Sequence, residues 1–159
     1  ILICGAGSIG ERHIKNLLKL GYSDLIIYRR AIKNLRTIKK KIKQFSSLDE
    51  ALKQKPNIAI ISNPTNQHID TAIKCARSNC HLLIEKPLSN NLKKVNLLSK
   101  ICVKKKLICS TGFMMRYHPL IKKIKKILDA KKIGKIIQNL SIPKDNYYLQ
   151  FMLRQGQLK

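Results

Sequence analysis

Three short stretches of this 159-residue chain bring together residue types that can do chemistry. The first is Gly5-Ala6-Gly7-Ser8-Ile9-Gly10. It follows a short apolar run and opens a segment of helical period. In that setting G-x-G-x-x-G forms a cradle for the pyrophosphate of a dinucleotide. Gly5 permits the tight turn, Gly7 lets the main chain approach phosphate, and Gly10 allows close helix–strand packing. The free N–H groups at the helix start, around Ser8 and Ile9, add hydrogen bonds and a partial positive charge. The motif alone is common; its placement carries the argument.

The second stretch is Tyr28-Arg29-Arg30, at the end of the next apolar run. An acid there would accept the ribose 2′-hydroxyls of NAD. Arg29 and Arg30 suit a 2′-phosphate instead, so NADP is the expected cofactor and NAD the alternative. The competing reading is two solvated arginines in a very basic chain. Arg12, just past the glycine loop, meets either phosphate or solvent.

The third stretch is Leu82-Leu83-Ile84-Glu85-Lys86-Pro87, an apolar run that ends abruptly in an acid, a base and a proline. Pro87 cannot donate to a strand ladder, so it stops pairing and fixes the turn. Taken alone, Glu85 and Lys86 read first as a surface pair in a loop; the other motifs turn the reading toward a cofactor cleft.

The elements that must position these residues alternate. Apolar runs predict strands at residues 1–4, 24–28, 57–62, 81–84 and 107–110. Helical periodicity falls at residues 8–20, 66–79 and 92–105. Ser47 and Glu50 form a capping box that opens a short helix to Gln54. Pro119 occupies the favoured first-turn position of a further helix with an apolar stripe from Leu120 to Leu128. A last strand is expected at residues 135–142. Strand–helix alternation predicts an α/β fold with a doubly wound parallel sheet of Rossmann type. Ligands of such sheets lie outside the carboxyl ends of the strands. Gly5, Arg29, Asn63 and Glu85 all fall just past strand ends, so one rim is expected to collect them.

Composition narrows the classes. Apolar residues make up 44% of the chain, a globular proportion. No apolar run approaches the ~18 residues of a membrane span. Net charge is +25. The basic residues are mostly Lys, spread over several helices, and aromatics are few. No specific nucleic-acid partner is expected, although non-specific polyanion binding at low salt is. Five cysteines form no C-x-x-C pair. They read as free thiols in a reducing cytoplasm. The four histidines are far apart and show no metal-ligand spacing, so no metal is expected.

Together the motifs resemble the Gfo/Idh/MocA oxidoreductases. Residues 57–76 are similar to that family's strand, Pro turn and His-bearing helix. His81-Leu82-Leu83-Ile84-Glu85-Lys86-Pro87 looks like its Glu-Lys-Pro hallmark. Residues 112–128 resemble its Gly-Phe-x-x-Arg-x-x-Pro stretch before a helix. With the glycine loop, the resemblance covers residues 1–137. It implies an NAD(P)-dependent oxidoreductase acting on a sugar, nucleotide-sugar or cyclitol, and a homo-oligomer at full length. It implies that Lys86 is catalytic and lies near the nicotinamide and the substrate oxygen. Glu85 would position Lys86 or bind the cofactor ribose. Asn63 and Pro64 match the family's Thr-Pro turn, His68 stands at a helix start on the nicotinamide side, and Arg116 matches an arginine near the cofactor.

Family members continue into a second α/β domain that carries a helix-borne Asp/His pair. No D-x-x-x-H segment follows Gly134, and the chain starts inside an apolar run without Met. The expected organisation is therefore a cofactor domain at residues 1–118, a linking helix and first strand of a largely absent substrate domain at 119–142, and an irregular tail at 143–159. The fragment alone is expected to be inactive. The alternatives are a non-catalytic dinucleotide-binding or regulatory module and a basic nucleic-acid-binding protein.

Overall fold

The computed structural model describes residues 1–130. The strand expected at 135–142 and the tail from 143 lie outside the described residues. Contacts divide the chain into two compact units, the first at Ile1–Gly112 and the second beginning at Phe113.

The first unit is a six-stranded sheet, parallel throughout, with the strands in the order β3-β2-β1-β4-β5-β6. The strands are β1 (Leu2–Cys4), β2 (Ile26–Tyr28), β3 (Lys43–Phe45), β4 (Ile58–Ile61), β5 (His81–Ile84) and β6 (Cys109–Thr111). The chain runs outward from β1 to one edge, returns, and runs outward from β4 to the other. That reversal between β1 and β4 is the switch point of a doubly wound sheet, where a dinucleotide crevice opens.

Side chains alternate across the sheet, so each strand feeds two cores. Leu2, Cys4, Ala59, Ile61, Leu82 and Ile84 enter one cluster, beneath α2 (Leu48–Lys53), α3 (His68–Arg77) and α4 (Val95–Lys104). Ile3, Ile27 and Ile60 enter the other, against Ile14 of α1 (Ser8–Lys19). Burial on both faces explains the unbroken apolar character of residues 59–61, while Ile58 is exposed at the start of the strand.

Local signals act as their chemistry demands. The Ser47 hydroxyl caps α2 by accepting from Glu50 N–H. Gly21, at φ +87°, closes α1, and the Tyr22 N–H reaches back to the Leu17 carbonyl. Three elements differ from expectation. The helix expected at 92–105 begins at Val95, because Asn91 Oδ1 accepts from Lys93 N–H and holds the preceding segment in a side-chain-stabilised turn. The helix expected at 66–79 begins with a tight 3₁₀ turn, Thr65–Gln67, before α3. Strand β3 was not expected; among the described residues it pairs only with β2, at the sheet edge, with Lys43 exposed.

In the second unit a 3₁₀ turn, Met114–Tyr117, precedes α5 (Pro119–Asp129). Pro119 takes the first helical position and His118 Nδ1 accepts from Leu120 N–H.

Candidate functional site

The glycine loop joins β1 to α1 and is fixed by its neighbours. Gly5 N–H donates to the Tyr28 carbonyl at 2.8 Å, and the Ser62 hydroxyl donates to the Gly5 carbonyl at 2.8 Å. The loop is thereby tied to the ends of β2 and β4 on either side. Gly5 has φ +94°, and a Cβ there would lie 2.6 Å from Asn63 N. A Cβ on Gly10 would lie 2.0 Å from the Gly5 carbonyl oxygen. Both positions are closed to any side chain.

Gly7 is the opposite case. It is exposed, and a Cβ there would meet nothing within 4 Å. It forms the N-cap of α1, with no side chain capping the first turn. The first-turn N–H groups, around Ser8 and Ile9, have no intrahelical acceptors of their own. Space beside the main chain, free donors and the positive end of a helix are what a pyrophosphate requires. The loop fits a dinucleotide on its own geometry.

Further along the rim, Asn63 follows β4. Its side-chain N–H donates to Thr71 Oγ1 at 2.8 Å, while its Oδ1 is buried without a partner among the described residues. Pro64 is exposed beside it. His68 is 2% exposed. Its Nε2 lies 2.8 Å from the Asn63 carbonyl and its Nδ1 2.8 Å from the Pro87 carbonyl. Both ring nitrogens thus face main-chain carbonyls, and the one that carries the N–H donates to its carbonyl. This changes the expectation for His68, from a residue that touches the cofactor to one that ties the turn after β4 to the turn after β5.

Glu85 and Lys86 follow β5 directly. Glu85 is almost fully buried, and His13 of α1 donates from Nε2 to its Oε1 at 2.7 Å. Gly112 packs beside the same carboxylate; a Cβ there would sit 3.5 Å from it. Glu85 therefore faces into the protein, whereas Lys86 is exposed, before a cis Lys86–Pro87 peptide. Of the two residues, Lys86 is the one placed to meet a ligand.

After β2, Arg29 is half-buried, with its guanidinium near the Lys33 carbonyl at 3.5 Å, and Arg30 is exposed. Arg12 is also exposed. The rim thus brings together Gly5, Gly7, Ser8, Ile9, Gly10, Arg29, Arg30, Asn63, Pro64, Glu85 and Lys86. Arg116 belongs to the second unit, in its 3₁₀ turn.

Two residues of α1 were not singled out from the sequence. One is His13, the partner of Glu85. The other is Glu11, which is 5% exposed and accepts from the N–H groups of Arg36 and Thr37 and from the Thr37 hydroxyl. Burial by itself raises the Glu11 pKa. The Thr37 hydroxyl, the two main-chain donors and the Arg36 charge outweigh burial and hold it below the usual carboxylate value.

Thiol chemistry is disfavoured in the core. Burial pushes Cys80 up to about 12, and Cys4 is raised by its hydrogen bond with Cys75 and by burial. Such thiols are poor nucleophiles near neutrality. Among the described residues no group of His, Cys, Asp and Glu could hold a metal ion. No helix among them is long and apolar enough to cross a membrane.

Residues 1–113 match the model of the GFO/IDH/MocA oxidoreductase family, NAD-binding Rossmann fold. The chain is 32% identical over 142 residues to the myo-inositol 2-dehydrogenase of Thermotoga maritima, covering 84% of this chain and 41% of that protein. It is 31% identical over 162 residues to the scyllo-inositol 2-dehydrogenase (NAD(+)) of Bacillus subtilis, covering 97% of this chain and 44% of that protein. The solved myo-inositol 2-dehydrogenase of Lactobacillus plantarum superposes with a TM-score of 0.76 at 26% identity, over 86% of this chain and 42% of that one. The chain therefore spans less than half the length of these relatives.

Proposed function

Because the chain belongs to the GFO/IDH/MocA oxidoreductase family, we propose that it is the cofactor-binding half of an enzyme that moves hydride between a nicotinamide dinucleotide and a sugar, nucleotide-sugar or cyclitol. One observation carries the reading: an open, donor-lined Gly7 turn stands on the same rim as the exposed Lys86. The relatives that act on inositols support the substrate class.

When bound, the nicotinamide supplies the hydride-accepting ring. The main chain at Gly7, Ser8 and Ile9 holds the pyrophosphate, and the turn at Asn63 and Pro64 borders the nicotinamide side. Arg29 and Arg30 receive the 2′-phosphate of NADP. Lys86 would hold the substrate oxygen through its ammonium group and stabilise negative charge as the hydroxyl proton passes to a general base of the substrate domain. Catalysis requires the substrate to be held in a near-attack pose, a task assigned to a substrate domain outside the 159 residues. Arg116 is assigned to the cofactor in the assembled enzyme, which we take to be a cytoplasmic homo-oligomer.

The test joins residues 1–130 to a complete substrate domain and assays sugars and inositols. Lys86→Ala is expected to lower turnover by at least about a hundredfold, the usual scale for an oxyanion-stabilising group, with cofactor affinity nearly intact. Unchanged turnover would remove Lys86 from the chemistry.

A further inference from the structure

The crossover from β2 to β3, residues 29–42, contains no helix. It starts where Arg29 and Arg30 stand, at the strand end that borders the adenosine side of a dinucleotide crevice. Leu35, Ile38 and Ile42 anchor it to the core from below. Its main chain at residues 36 and 37 is anchored differently. Arg36 N–H donates to Glu11 Oε1 at 2.8 Å, Thr37 N–H to Oε2 at 3.0 Å, and the Thr37 hydroxyl to Oε2 at 2.7 Å. Arg36 and Thr37 are exposed, whereas Glu11 is buried.

Glu11 sits in the first turn of α1, and its own N–H donates to the Gly7 carbonyl at 2.9 Å. One residue therefore joins the phosphate cradle to the crossover wall. Its buried carboxylate accepts from three protein donors, so it acts by placing the chain and not by touching a ligand. An irregular segment of this length has no helical hydrogen bonds to hold its shape. Three charge-assisted bonds converging on one carboxylate supply that constraint.

We propose that Glu11 is the positioning residue of the adenosine subsite: it holds residues 36 and 37 against the phosphate cradle and thereby sets the wall that receives the adenosine 2′-phosphate. The proposal rests on the dinucleotide-binding reading above. It assigns cofactor discrimination to a residue of the glycine-loop helix as well as to the arginines after β2.

The test titrates the 159-residue chain with 2′,5′-ADP at physiological ionic strength, well below the melting temperature. Glu11→Ala should weaken 2′,5′-ADP about tenfold, or ~1.4 kcal/mol, with its circular dichroism unchanged. Thr37→Val, which removes the hydroxyl donor alone, should lose affinity in the same direction and to a smaller degree. The amide resonances of residues 36 and 37 should shift on 2′,5′-ADP addition in the wild type. A purely structural role predicts a lower melting temperature with affinity unchanged in both variants, and that result overturns the proposal. Wild-type protein that binds NADH but neither 2′,5′-ADP nor NADPH would also overturn the proposal, whereas protein that binds none of the three would overturn the dinucleotide reading itself.

Discussion

His13 on α1 and Glu85 at the end of β5 meet at 2.7 Å, Nε2 to Oε1, across 72 residues of sequence. The contact braces the helix of the phosphate loop against the strand end that presents Lys86. Glu11, two residues earlier on α1, reaches the opposite way, to residues 36 and 37 beyond β2. Two positions apart on a helix lie on different faces, and sheet order places β2 and β5 on opposite sides of β1. One helix thus ties together both flanks of the rim.

Breaking the first tie should be visible in stability. His13→Ala leaves Oε1 of a nearly buried carboxylate without its donor, which costs about 1–3 kcal/mol. Urea unfolding of the variant should show that loss, and His13→Gln, which keeps an N–H donor, should recover part of it. An unchanged midpoint in His13→Ala would show that the contact contributes nothing to stability.

The glycines separate folding from binding. Gly10→Ala places a Cβ 2.0 Å from the Gly5 carbonyl oxygen. Overpacking of this kind costs about 1–3 kcal/mol or more, so its melting temperature should drop. Gly7→Ala meets no protein atom within 4 Å. It should fold like the wild type and lose dinucleotide affinity, because the added methyl occupies the approach to the main chain.

Cofactor choice should reside in the arginines. Charge-assisted contacts to a 2′-phosphate, at about 1.5–3 kcal/mol, amount to roughly one to two decades in affinity. Arg30 is the exposed one of the two, so Arg30→Ala should weaken NADPH by that factor and leave NADH nearly unchanged. Fluorescence titration of both nucleotides checks it; equal losses for the two would place Arg30 away from the 2′ position.

Acid should release the Glu11 anchor. Its folded pKa lies below its ordinary value, so the folded state binds a proton less readily than the unfolded chain. The stabilisation is fully present above the unfolded pKa, about 4.3, and is lost as pH falls through the lower folded value. The stability difference between wild type and Glu11→Ala should therefore be constant at neutral pH and shrink below about pH 4.3. A difference that stays constant down to pH 2 would contradict the assignment.

The fold was legible where local chemistry decides it. The glycine loop, the Ser47 cap, Pro119 and the buried strand residues 59–61 each act through neighbours in sequence. Strand β3 was hidden because only Phe45 of its three residues is apolar, and it forms by pairing at an edge. Glu11, His13 and the two carbonyl contacts of His68 were hidden for another reason. Their partners lie 25, 72 and 5 to 19 residues away, and no periodicity encodes a side-chain contact of that kind. A polar residue inside an otherwise amphipathic helix was the available signal; Glu11 and His13 both sit on α1, next to buried Gly10 and Ile14.

The central claim is that the rim around Gly7 binds a dinucleotide. Calorimetric titration of NADPH into the 159-residue chain at physiological ionic strength tests it most directly. The account predicts saturable one-site binding, competition by 2′,5′-ADP, loss of binding in Gly7→Ala, and no NADP reduction with sugars or inositols by the chain alone. A folded protein that binds no dinucleotide, or a Gly7→Ala variant that binds as well as the wild type, would contradict it.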